Sequence, residues 1–111
     1  MNECFECWQN AKEAGEISES QHQQILTFYQ ELKDATVRSQ VSYISTGFVG
    51  CGLLKTPVRH FDDEPPVNDV IIMMTNLGSR KGDDIRRSVA YLTRDEAEDM
   101  AHVILEGIGN G

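Results

Sequence analysis

Apolar residues recur along this chain with two different periods, and the change between them divides it. Cys4, Cys7, Trp8, Ala11 and Ala14 fall at helical spacings on one narrow face, which predicts a short helix over 3–14. Gly15 supplies its stop. A second helical pattern begins at Ser18-Glu19-Ser20-Gln21. These residues match a capping box, in which the serine and glutamine side chains each satisfy a backbone amide near the other. Ile25, Phe28, Tyr29, Leu32 and Ala35 form the apolar face that follows. The short connection at Gly15 predicts an antiparallel helical hairpin over 1–38.

Past Ala35 the pattern changes. Val37, Val41, Tyr43 and Ile44 are β-branched or aromatic and alternate with small polar residues, which predicts a strand near 40–46. Val37, Val41 and Ile44 also fit a helical period, so 36–46 reads equally as a continuation of the helix. Gly47, Gly50 and Gly52 punctuate the next apolar run as a bulged or closely packed strand would. Residues 55–69 hold three prolines and the acidic segment His60 to Glu64, and read as an edge segment plus a surface loop.

Val70 to Met74 is continuously apolar, the pattern of a strand covered on both faces. A turn over 78–84 leads into a strand from Ile85 to Leu92, in which Ile85, Val89 and Tyr91 share a face interrupted by Arg87. Thr93-Arg94-Asp95-Glu96 forms a second capping box, with acids suitably placed for the helix dipole. Ala97, Met100, Ala101, Ile104, Leu105 and Ile108 then recur at helical spacing, and Gly107 and Gly109 are expected to end the helix.

The fold class is therefore α+β in one domain. It comprises an N-terminal helical hairpin (1–38), a three- to four-stranded mainly antiparallel sheet with its loops (39–92), and a C-terminal amphipathic helix (93–108). If every helix packs on one face of the sheet, the apolar strand at 70–74 needs a partner on the other, which makes a homodimer an expectation.

Composition narrows the class of protein. With 111 residues there is room for one core, and the 40 % apolar and 25 % charged content argue against disorder. The acidic N-terminus lacks a signal-peptide pattern, and no apolar run approaches the roughly 20 residues that span a bilayer. Three cysteines, an odd count, suit a reducing compartment. An intracellular, cytoplasmic protein with no membrane partner is the expectation. The net charge of −8 repels a nucleic-acid backbone, so no direct duplex binding is expected, and it suits a basic protein partner.

Candidate chemistry is sparse. Cys4 and Cys7 have the spacing of half a zinc site, but the other half is missing and both fall on the apolar face beside Trp8, as core thiols do. The glycines near Lys55 lack the register of a phosphate loop. His102 with Glu98 and Glu106, and His60 with Asp62, Asp63 and Glu64, read as solvated acidic surfaces carrying a histidine. No nucleophile sits in an activating context. One cluster reverses the sign of the chain. Arg80, Lys81, Arg86 and Arg87 hold four of the ten positive charges within eight residues, beside glycines that would let backbone amides approach an anion.

The expected function is that of a small acidic non-enzymatic binding protein. It would work through protein–protein contacts as an inhibitor, adaptor or accessory factor, of the kind phages and mobile elements direct at a host nuclease or defence system. No cofactor is expected. The first alternative is a module that sequesters a nucleotide or other phosphorylated small molecule at residues 78–87. The second is a small metal-dependent enzyme using His60 or His102.

Overall fold

The structure is a computed structural model that describes residues 10, 12, 13, 15, 17–44, 47–77 and 84–110. An N-terminal helix, a four-stranded antiparallel sheet and a C-terminal helix make up an α+β fold. The first limb of the expected helical hairpin, including Cys4, Cys7 and Trp8, falls largely outside the described residues.

Helix α1 (Glu19–Ala35) starts where the sequence places it. Ser18 Oγ accepts from the Gln21 amide at 3.1 Å, and Gln21 Oε1 accepts from the Ser18 amide at 2.9 Å. The helix passes into strand β1 (Thr36–Ile44) without a loop. Thr36 serves as its C-cap, and its hydroxyl donates to the Leu32 carbonyl at 2.7 Å while its backbone is already extended. Residues 36–44 are therefore strand, and the helical alternative fails at that cap.

Strands β2 (Gly47–Val58), β3 (Asn68–Asn76) and β4 (Arg86–Leu92) complete a meander in the order β1-β2-β3-β4. Strand β2 extends further into the 55–69 segment than its composition suggests, leaving a connection over 59–67. The glycines do not mark its irregularity: register shifts occur near Thr36 on one side and between Leu53 and Val58 on the other. They mark close approach instead. At Gly50 a Cβ would lie 2.6 Å from Leu32 Cδ2, so the helix presses on the strand there. At Gly47, with φ 151°, it would lie 2.4 Å from the Thr75 carbonyl oxygen.

The core lies between α1 and one face of the sheet. Ile25, Tyr29 and Leu32 of the helix meet Val41, Phe48, Ile71, Met73 and Ile85, all buried. At one end of this layer the Phe48 amide donates to the Thr75 hydroxyl at 2.9 Å, so a side chain replaces a rung of the β2–β3 ladder.

Helix α2 (Arg94–Asn110) follows β4 after a single residue. Its capping box forms as expected: the Glu96 amide donates to Thr93 Oγ1 at 3.2 Å, and the Thr93 amide donates to Glu96 Oε1 at 2.9 Å. Two expectations fail here. The helix runs through Gly107 and Gly109, which adopt ordinary helical backbone. Its apolar face also does not pack on the core, because residues 98–109 are all exposed.

Candidate functional site

The basic cluster divides in the fold. Arg80 and Lys81 lie outside the described residues. Arg86 and Arg87 are consecutive on β4, and the pleat sends them to opposite faces of the sheet. Arg87 turns toward α1, where its guanidinium pairs with the Glu31 carboxylate and lies 4.4 Å from the centre of the Phe28 ring. Beside it the Ile85 amide donates to Gln24 Oε1 at 2.7 Å, and Gln24 Nε2 donates to Asp84 Oδ1 at 3.2 Å. These contacts hold the edge strand against the helix, so Arg87 is engaged in the fold itself. Arg86 faces away and lines a depression of about 320 Å³ with Ile44, Val49, Met74, Asn76 and Ser88.

The histidines are also separated. His60 Nε2 donates to the Tyr91 carbonyl at 3.0 Å, which ties the 59–67 connection to β4 and leaves Asp62, Asp63 and Glu64 in solvent. His102 Nε2 lies 3.6 Å from the Glu98 carboxylate on the outside of α2. Among the described residues, no three His, Cys, Asp or Glu side chains gather closely enough to hold a metal ion. His22 is buried at the start of α1, with Nδ1 lacking a hydrogen-bond partner among the described residues. Burial lowers its pKa below the ordinary histidine value, nearby Lys12 lowers it further, and Glu19 opposes both. The Glu96 carboxyl is held below its usual value by the Thr93 backbone amide, then the Thr93 hydroxyl, with a smaller contribution from His60.

What the fold brings together instead is apolar. Paired residues of antiparallel strands project to the same side, so the register defines two faces. One is covered by α1. The other presents Leu53 beside Val70, Cys51 beside Ile72, and Val49 beside Met74. Leu92 and Ala90 extend the first two of these rows onto β4. Val49, Leu53, Met74 and the free thiol of Cys51 are exposed there. A second depression, of about 460 Å³, runs along this face between Arg38, Gln40, Cys51, Leu53 and Val70. The alternation of β2 and β3 carries the signal: apolar residues occupy both parities, as a two-sided strand requires.

Helix α2 supplies a matching surface. Met100, Val103, Ile104, Leu105 and Ile108 are between 50 % and 71 % exposed, far beyond what an apolar helical stripe shows when packed. Among the described residues, the start of the helix is anchored by Arg94 Nε donating to Asp69 Oδ2 of β3 at 2.7 Å. The helix is not a membrane span: no described helix is long and apolar enough to cross a bilayer.

Fold and site together define an α+β meander with one helix-covered sheet face, one open apolar face and a projecting amphipathic helix. No protein-family model, curated protein or solved structure matches the chain.

Proposed function

We propose that this chain is a non-enzymatic protein-binding module, acting through protein–protein contacts as an inhibitor, adaptor or accessory factor. The observation that carries the reading is the apolar stripe of α2, exposed from Met100 to Ile108 on a helix whose N-terminal cap and amphipathic pattern are well formed. Contiguous apolar surface of this kind on a folded domain supports reading it as a contact site for another polypeptide. The open sheet face adds a second apolar surface on the same chain. The acidic balance of the chain, −8 overall, favours a partner with a basic surface.

A photo-crosslinking residue in place of Ile104 tests this reading, with one in place of Asp95 on the polar side of α2 as control. The expected result is a discrete polypeptide adduct from position 104, reproduced with purified components and absent from position 95. No adduct from position 104, or equal labelling from both, contradicts it.

A second reading, binding of a phosphorylated small molecule, draws on one observation. Arg86 shares its depression with Asn76 and Ser88, so a guanidinium, an amide and a hydroxyl line one concavity. A rise in thermal stability with inorganic phosphate or nucleotides that is lost in Arg86→Ala supports this alternative, and no rise with any of them argues against it.

A further inference from the structure

Among the described residues, two apolar surfaces stand without a partner, and each has the properties the other lacks. The open sheet face is broad, and its basic residues stand toward opposite ends: Arg38 in the row with Leu53 and Val70, Arg86 in the row with Ile44 and Asn76. No acidic residue occupies the strand positions that project to this side from Arg38 to Ile44 on β1, Val49 to Leu53 on β2, Val70 to Asn76 on β3, or on β4. Helix α2 is narrow and acidic. Glu98 borders its apolar stripe on one side, and Asp99 borders it on the other, where it shares a concavity with Met100, Val103 and Ile104. A helix bearing an apolar stripe between acids fits an apolar face bearing arginines.

The helix is not placed to cover its own sheet. Thr93 is the only residue between β4 and α2, and both its amide and its hydroxyl are committed to the cap with Glu96. Arg94 is tied to Asp69 at the same point. A return across the sheet needs several loop residues, and the chain has one.

We infer that the partner at this site is a second copy of the chain, with α2 of each protomer lying across the open sheet face of the other. This rests on the reading of α2 and the open face as docking surfaces, and it names their occupant. The arrangement is isologous, because each copy contributes one helix and one face, so the contact closes on itself as a two-fold dimer. Exposed apolar side chains supply both halves of the contact: Met100, Val103, Ile104, Leu105 and Ile108 on the helix, and Val49, Leu53 and Met74 on the sheet face. Any other protein that binds the chain then meets a dimer.

Solution mass by light scattering or sedimentation tests the inference on the full chain. The wild type is expected at twice the 12.5 kDa chain mass, and Ile104→Glu/Ile108→Glu at the chain mass with its helical signal retained, since neither residue belongs to the core. Charge reversal adds a readout that unfolding cannot imitate. Arg38→Glu/Arg86→Glu and Glu98→Lys/Asp99→Lys should each weaken self-association by at least about tenfold, because each sets like charges across the contact. Mixing the two variants should restore a dimer, because both helix-on-sheet contacts then regain opposite charges. A wild type that stays monomeric at high micromolar concentration overturns the inference, as does a dimer that survives Ile104→Glu/Ile108→Glu or a mixture that does not associate. In each case, a polypeptide of another mass crosslinked at position 104 would leave the broader protein-binding reading standing, and the absence of any adduct would remove both.

Discussion

Replacing Thr75 with valine removes one hydroxyl from the core and almost nothing else. The two side chains share a shape, so no cavity opens. Thr75 is 3 % exposed and Phe48 is fully buried. The Phe48 amide donates to Thr75 Oγ1 at 2.9 Å, and in Thr75→Val it is left buried without that acceptor. The return contact, from the Thr75 hydroxyl to the Phe48 carbonyl, is 3.5 Å long and contributes little. An orphaned buried donor costs about 1–3 kcal/mol. For a chain of this length that lowers the melting temperature by roughly 4–12 °C. Thr75→Ser is the control: it keeps the acceptor, loses one methyl, and costs about 1 kcal/mol. Urea unfolding followed by circular dichroism measures both, at one fixed protein concentration because self-association would shift the midpoint. A valine variant within about 0.5 kcal/mol of wild type would refute the reasoning. So would a serine variant as damaged as the valine one, since the methyl would then carry the effect.

Other outcomes follow from the same geometry. Gly47→Ala drives a Cβ into the Thr75 carbonyl at a backbone angle that side chains avoid, and thermal unfolding should show a loss of at least about 2 kcal/mol from strain and overpacking together. His22 has its pKa lowered in the folded state, so folding disfavours its protonation. Stability should be full above the ordinary histidine pKa and fall as pH drops from 7 toward 5; His22→Gln should flatten that slope in urea midpoints taken across the range. Gly107 lies within α2 with nothing near its missing side chain. Gly107→Ala should therefore raise helical content by circular dichroism and favour the helix by about 1 kcal/mol.

Much of this fold is legible in the chain because local chemistry and global position agree. Ser18 with Gln21 and Thr93 with Glu96 announce helix starts, and both boxes form. The pattern over 36–46 is ambiguous because Val37, Val41 and Ile44 satisfy two periods at once. The decision came from outside that pattern, in the capping hydroxyl of Thr36 and the pairing with β2. The basic cluster shows the opposite limit. Adjacency in sequence suggested one site, but a strand separates consecutive residues, so Arg86 faces solvent while Arg87 is drawn to Glu31 and Phe28 by contacts 56 and 59 residues back along the chain. Helix α2 shows a third. Its pattern states that an apolar stripe exists, but a periodicity carries no information about which surface covers it. That surface depends on the direction in which a one-residue connection sends the helix.

Cys51 offers the most direct view of whether the open face is covered, because its thiol sits in the middle of it. The measurement is its alkylation rate across protein concentration, read peptide by peptide so that Cys4 and Cys7 are scored separately. A helix docked over the face predicts a rate that falls as concentration rises through the association range, and that returns to the dilute value in Ile104→Glu/Ile108→Glu. A rate independent of concentration, or a fall that persists in that variant, would contradict the account.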